Sequence, residues 1–385
     1  VQGYQYHPTD GELRFFSCAI NPLAFIVVFP AGRAASREWG TAACSGAAVP
    51  RLHDAREDGW VEMSEVAVRS DRARWRAMLG TAEEDAVQSP AAAGLDSRRA
   101  LQLVLAGIWL LDGVLQFQSF MYTKAFGQML AGTADGNPAV IARPITWQAT
   151  LVGHHLVLLN TIFATIQVLL GLGIATRRCV RPALAASIAW SVGVWWFGEG
   201  LGGVLSGTAS PLNGAPGAVI LYALLAVLLW PADRGTQALF PAARAVGTHV
   251  ARALWLVLWL SLAYFALTPA NRAPGAVSGV IGEMADGQPG WLGTLIRGAA
   301  SLVTGNDLAA SVALAVSLVV IAAGVCLPVP VARASLVLAI VVALVIWVFA
   351  QALGMILAGG ATDPNSGALL ALLALAYWPA RAARP

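Results

Sequence analysis

The sequence predicts an all-α, polytopic membrane protein, with eight transmembrane helices arranged as two parallel, tandem four-helix repeats. Three observations carry this reading. The 385 residues are 57% hydrophobic and only 12% charged, whereas a soluble domain carries roughly 25% charged residues. The charge is also crowded towards one end, with 24 of the 45 Asp, Glu, Lys and Arg residues in the first 99 positions. Finally, one stretch occurs twice. Trp195-Trp196-Phe197-Gly198-Glu199-Gly200-Leu201-Gly202-Gly203 returns 152 residues later as Trp347-Val348-Phe349-Ala350-Gln351-Ala352-Leu353-Gly354-Met355. Each copy runs on through an asparagine (Asn213, Asn365) into a short apolar run ending Trp-Pro-Ala, at Trp230 and Trp378. Self-similarity of this length marks a repeated structural unit.

Residues 1–98 form a polar segment without sustained periodicity, expected to be largely loop or disordered, with one helix over 65–79. The apolar run 25–29 is far too short to span a bilayer, and no cleavable signal peptide is expected. The chain opens on Val1, and Met63-Ser64-Glu65 reads as a more ordinary start. Residues 1–62 are therefore expected to be an over-extended gene start, with a regulatory tail as the alternative.

From Arg98 the hydropathy changes abruptly. Eight spans are expected at 101–121, 155–175, 183–203, 216–231, 250–267, 308–327, 334–357 and 367–379. The fourth and eighth are short and occupy corresponding places, which in repeat-built membrane proteins marks a binding site or re-entrant feature. The alternative is that Trp230 and Trp378 anchor short helices at the interface. The repeat extends further. Arg99-Ala100-Leu101-Gln102-Leu103-Val104-Leu105 is answered by Arg252-Ala253-Leu254-Trp255-Leu256-Val257-Leu258, and Ala134-Asp135-Gly136-Asn137-Pro138 by Ala285-Asp286-Gly287-Gln288-Pro289. The domains are therefore 1–98, a first repeat 99–235, a linker 236–250, and a second, degenerate repeat 251–385. Four spans per half return the chain to its starting side, so the repeats are parallel, related by an axis along the membrane normal. Nine arginines (Arg177, Arg178, Arg181, Arg234, Arg244, Arg252, Arg333, Arg381, Arg384) share the side of the N-terminus, against Lys124, Arg143, Arg272 and Arg297 opposite. This bias is expected to place both termini in the cytoplasm.

An ionisable side chain within a span is expensive and needs a reason. Asp112 and Glu199 are the two acids in the expected spans, both in the first half. Gln116 lies one turn beyond Asp112 on the same face. Asn160 and Gln167 share a face of the second span, and His154 and His155 stand at its outer entrance. In the second half Asp112 corresponds to Phe265, Glu199 to Gln351 and His155 to Asn306. A site in the first half, with the second half as scaffold, follows. The alternative is that these groups are interhelical hydrogen-bonding pairs. Gly198 and Gly202 form one GxxxG and Gly203 and Gly207 another, a spacing that lets a neighbouring backbone come close.

Other chemistries find little support. The four cysteines show no CxxC, against a thiol oxidase with a paired dithiol. No basic run is interleaved with aromatics, against nucleic-acid binding. A haem between two helices needs facing histidines at similar depth, and His249 lies at the other side. His154 or His155 with Glu199 supplies too few ligands for a metal, so neither haem nor metal is expected. No nucleotide-binding, zinc-protease or nucleophile-elbow motif occurs.

Each four-span unit resembles the DoxX-like family of small bacterial membrane proteins. The likeness rests on the polar end of the first span (Leu111-Asp112-Gly113-Val114-Leu115-Gln116-Phe117) and on the glycine-bearing second span with its basic turn, from Gln167 through Gly171-Leu172-Gly173 to Arg177-Arg178. It rests also on the exit Trp230-Pro231-Ala232-Asp233-Arg234. It covers 99–235 well and 251–380 weakly. The family includes a subunit of thiosulfate:quinone oxidoreductase, so the resemblance implies a quinone-linked redox subunit or its membrane anchor. Where the family often carries a Glu in the second span, this chain has Gln167. On that reading Glu199 and Asp112 carry the chemistry, Gln116, His155, Asn160 and Gln167 bind the head group, and Gly198, Gly202 and Gly203 give close approach. The partners are the lipid bilayer and a soluble or membrane redox protein, with a homo-oligomer left open. A small-solute transporter and a non-catalytic scaffold are the competing classes.

Overall fold

The computed structural model describes residues 15–20, 23–28, 96–232 and 239–379. The chain divides into two units, 1–94 and 95–385. In the first, strands β1 (Phe15–Ile20) and β2 (Leu23–Val28) pair antiparallel, Phe15 opposite Val28 and Ile20 opposite Leu23. This corrects the all-loop reading of that stretch. The run is dense in aromatic and β-branched residues, which favour a pleated backbone. The expected helix over 65–79 lies outside the described residues.

The second unit is helical throughout its described regular structure. The first half contains α1 (Ser97–Leu115), α2 (Lys124–Gly132), α3 (Ala139–His154), α4 (Leu156–Ala175), α5 (Val180–Phe197) and α6 (Ala218–Leu228). After a short α7 (Pro241–Val246), the second half contains α8 (Thr248–Ala266), α9 (Ala276–Glu283), α10 (Gly290–Val303), α11 (Asp307–Gly324), α12 (Val329–Val345) and α13 (Asn365–Ala376). The pairings match between the halves. α1 packs on α4 as α8 packs on α11, α2 on α3 as α9 on α10, and α5 on α6 as α12 on α13.

Among the described residues four helices are long and apolar enough to cross a membrane: α4, α8, α11, and α12 with its continuation to Ala350. The unit is thus membrane-embedded and helical. α6 and α13 have 11 and 12 residues, roughly 17 and 18 Å, well short of a hydrocarbon core of about 30 Å. They pack against each other at the centre of the unit, where Leu221, Tyr222, Leu225, Leu369 and Leu373 join Trp255, Trp259 and Tyr377 in one buried core. A helix apolar all round belongs in such a place rather than at an interface.

Several expected boundaries move. The helix expected over 101–121 stops at Leu115, that over 183–203 at Phe197, and that over 334–357 breaks after Ala350. Stretches expected to be loops, 122–154 and 268–307, fold instead into α2–α3 and α9–α10. Pro138 and Pro289 immediately precede α3 and α10, where their missing N–H is no loss. α3 exposes Val140, Trp147 and Leu151 while burying Ile145, Ala149 and Val152, so it is apolar both towards the protein and away from it.

Close packing in the first half depends on small residues. A Cβ on Gly171 of α4 would stand 2.6 Å from Leu110 Cγ and 2.9 Å from the Ala106 carbonyl oxygen of α1. Gly171→Ala therefore forces α1 and α4 apart. It should lower unfolding stability in detergent by about 1–3 kcal/mol, measured against Gly193→Ala, where an added Cβ meets nothing within 4 Å.

Candidate functional site

The site is built on the repeated stretch. α5 ends at Phe197, and the chain turns through left-handed residues Gly200, Leu201, Gly202 and Gly203, with φ of 54°, 59°, 62° and 72°. In the second half Ala352, Leu353, Gly354 and Met355 do the same, with φ of 44°, 57°, 72° and 60°. A side chain in this region costs about 1–2 kcal/mol, and it persists only where the surroundings over-determine it. The surroundings here are the same in both halves. The indole Nε1 of Trp195 donates to the Pro216 carbonyl at 2.6 Å, and that of Trp347 to the Pro364 carbonyl at 2.6 Å. The Glu199 carboxylate accepts from the Val219 N–H at 3.1 and 3.3 Å, and Gln351 Oε1 from the Gly367 N–H at 3.0 Å. Each side chain caps the N-terminus of the short helix that follows, satisfying a donor that has no partner within the helix.

The helical GxxxG reading of these glycines is therefore corrected. Gly198 is the C-cap of α5, and Gly202 and Gly203 lie beyond the helix in the left-handed turn. Close approach survives by another geometry. A Cβ on Gly202 would collide with the Pro216 carbonyl, and one on Gly203 would stand 2.7 Å from Thr208 Oγ1. Gly217 (φ 119°) is equally constrained, since a Cβ there would collide with Glu199 Oε2.

Asp112, Gln116, Gln167 and Glu199, expected to act together, line one cavity of about 370 Å³. Its other walls are largely apolar, with Trp109 of α1, Phe126 and Leu130 of α2, Val152 of α3, Phe163 of α4 and Val194 of α5 among them. Asp112 is 2% exposed, and its Oδ2 accepts from the Tyr222 hydroxyl at 2.6 Å. Asp112 Oδ1, Gln116 Oε1, Gln148 Oε1, Gln167 Oε1 and Trp190 Nε1 are buried in this lining without a protein partner. Buried polar atoms left unpaired are costly, and water or a ligand in the cavity would pair them.

The remaining expected residues lie elsewhere. Asn160 is fully buried, but its Nδ2 donates to the Gln116 carbonyl at 2.7 Å, so it closes the end of α1 instead of lining the cavity. His155 is exposed at the junction of α3 and α4 and is absent from the lining. Among the described residues no three His, Cys, Asp or Glu side chains lie close enough to hold a metal ion.

The reading of the second half as scaffold also needs correction. Thr362 and Asp363, from the segment before α13, line the same cavity as Asp112 and Glu199. Asp363 is held by the Thr362 hydroxyl at 2.8 Å and the Asn365 N–H at 2.7 Å. The segment reaches the first half through Gln118, whose Nε2 donates to the Ala361 carbonyl at 3.3 Å. Its counterpart reaches the other way, Asn271 Nδ2 donating to the Ala209 carbonyl at 2.8 Å. There Phe265, in the place of Asp112, packs with Ala209 and Ala215. Thus one crossing brings a third carboxyl group to a cavity that already has two, and the other brings an alanine to a phenyl ring. Asp363 reads as a loop charge in sequence. Its position before Pro364, matching Ala215 before Pro216, was the available signal.

A second, polar cavity of about 350 Å³ adjoins the first, lined by Thr208, Ser210, Asn213 and Asn365 among others. Glu199, Thr362 and Asp363 belong to both linings. No family model, curated protein or solved structure matches the chain. Fold and site define the class: a helical membrane protein whose central cavity is apolar, with carboxyl, amide, hydroxyl and indole groups set into its wall.

Tyr222→Phe should leave Asp112 with neither oxygen paired and lower stability by about 1–3 kcal/mol, while Tyr264→Phe, at an exposed ring, should not. Gly217→Ala must displace the Glu199 carboxylate or distort a backbone suited to glycine. Unfolding stability should fall by about 1–3 kcal/mol, and equal stability to wild type would contradict the capping geometry.

Proposed function

We propose that this chain is a DoxX-like, quinone-linked redox subunit or membrane anchor, and that the cavity behind Asp112 takes the head group of a lipid-soluble quinone. The single observation that carries the reading is the set of unpaired polar atoms in an apolar chamber. Small-molecule sites are mostly apolar, with a few placed polar groups that fix orientation. A quinone ring has carbonyl oxygens for Trp190 Nε1 and an amide N–H, and its reduced form has hydroxyls for Asp112 Oδ1 and the amide oxygens. The residues present therefore fit the group, which when bound carries two electrons and two protons.

In this reading Asp112, fixed by Tyr222, orients one end of the ring and holds or releases a proton at Oδ1. Gln116, Gln148 and Gln167 pair the remaining ring oxygens, and Trp109 and Phe163 exclude water. Glu199 and Asp363 exchange protons at the chamber's polar wall. The same reading takes eight membrane segments, α6 and α13 being half-length, in two parallel repeats with both termini in the cytoplasm. The matched helix pairings, the matched caps at Glu199 and Gln351, and the reciprocal contacts at Gln118 and Asn271 support it.

One feature favours a second reading. A polar and an apolar cavity meeting at a break in a helix, between two repeats, is also how transporters hold a solute. A transporter should release its ligand to either side, whereas a redox subunit reduces it in place.

The test is quinone titration and turnover in proteoliposomes with thiosulfate or a thiol as donor. The wild type should quench its tryptophan fluorescence on quinone addition and reduce the quinone. Asp112→Asn and Glu199→Gln should weaken binding or turnover by about tenfold to a hundredfold, each removing a buried carboxyl partner at a cost of about 1–3 kcal/mol. Gln351→Glu should change neither. Absence of both quenching and turnover in the wild type would sink the quinone reading.

A further inference from the structure

The polar cavity has no part in holding an apolar ligand, yet it is as large as the chamber itself. At about 350 Å³ it has room for about twelve waters at roughly 30 Å³ each. Asn213 on its wall is exposed, and Thr208, Ser210 and Asn365 offer hydroxyl and amide groups to water. It shares with the chamber a wall containing Glu199 and Asp363. Beyond that wall Asp112 Oδ1 is buried, unpartnered and part of the chamber lining. The groups that can carry a proton around this point come from every element that meets there: Asp112 of α1, Glu199 after α5, Tyr222 of α6, and Asp363 before α13. The described lining holds no Lys, Arg or His.

The duplicated geometry shows that the cap at Glu199 does not need a carboxyl group. Gln351 caps α13 as Glu199 caps α6, and it does so with an amide. At the position of Asp363 the first half has Ala215, packed with Phe265. The cap therefore stands without an acid, and Glu199 and Asp363 lie where a polar cavity and a largely apolar one meet.

We propose that the polar cavity is a proton conduit, in which Glu199 and Asp363 pass protons between its water and the Asp112–Tyr222 pair inside the chamber. A carboxylic acid at the wall gives its proton to the inner pair or to a bound ligand, and the carboxylate left behind takes one from the cavity water. Protons leaving the chamber follow the reverse order. This deepens the quinone reading, since a ligand that takes up or loses protons in a dry chamber needs such a route, but its test needs no quinone.

The full chain in lipid nanodiscs is moved from H2O to D2O, and exchange at the Asp112–Tyr222 hydrogen bond is followed by infrared difference spectroscopy. Tyr222→Phe and Asp112→Asn assign the band. Glu199→Gln and Asp363→Asn should each slow the exchange by about a hundredfold, the scale of a positioned proton carrier. Exchange as fast as wild type in both would overturn the conduit, because protons would then reach the chamber by another wall. Should Asp363→Asn fail to fold, Glu199→Gln decides alone, since Gln351 shows that an amide keeps the cap. Quinone titration of the same discs separates the two readings. Slowed exchange without quinone binding supports the conduit and removes the quinone, and binding with unchanged exchange overturns the conduit alone.

Discussion

The interaction on which this structure depends is the capping of a short central helix by a side chain from the broken end of its neighbour. A helix that begins inside the protein leaves backbone donors with no partner within the helix, and burying them unpaired is costly. Glu199 answers the Val219 N–H, and Gln351 answers the Gly367 N–H. Trp195 and Trp347 meanwhile tie down the prolines that precede those helices. With these bonds in place α6 and α13 can be too short to span, and their apolar surfaces can be buried against each other. The left-handed residues Leu201, Leu353 and Met355 are strained for the same reason: only a sharp turn returns the chain in time to present the cap.

From that arrangement follows the difference between the halves. The segments ahead of α6 and α13 each lean onto the opposite half, held at Ala209 by Asn271 and at Ala361 by Gln118. Equivalent backbones thus deliver different side chains. Ala215 meets Phe265 in an apolar cluster, and Asp363 joins Asp112 and Glu199 at a cavity. A duplicated frame carries one dry junction and one polar junction, and the second half supplies part of the site found in the first.

Much of this was legible in the chain. Low charge, its crowding before residue 99, and the return of Trp195–Gly203 at 347–355 led to a helical membrane unit with a repeated plan. Asp112, Gln116, Gln167 and Glu199 stood out because a polar group in an apolar run is expensive, and they do share one cavity. What misled was reading the glycines near Glu199 at helical spacing. GxxxG assumes a continuous helix, and no periodicity tells a glycine that packs from one that turns left-handed. Asn160 misled in another way, because a face shared with Gln167 does not tell whether an amide lines a cavity or closes the backbone end of α1.

By itself, then, the sequence determined the apolar, helical class, the recurrence of one stretch and the identity of the costly polar residues. Each of these follows from composition or from local spacing along one helix. Only the tertiary structure decided where α5 stops, which donors Glu199 and Gln351 satisfy, and that Asp363 crosses to complete the chamber with Tyr222. Those are contacts between segments 16 to 251 residues apart. Their chemistry is visible in the chain, but their meeting depends on how two halves fold over each other.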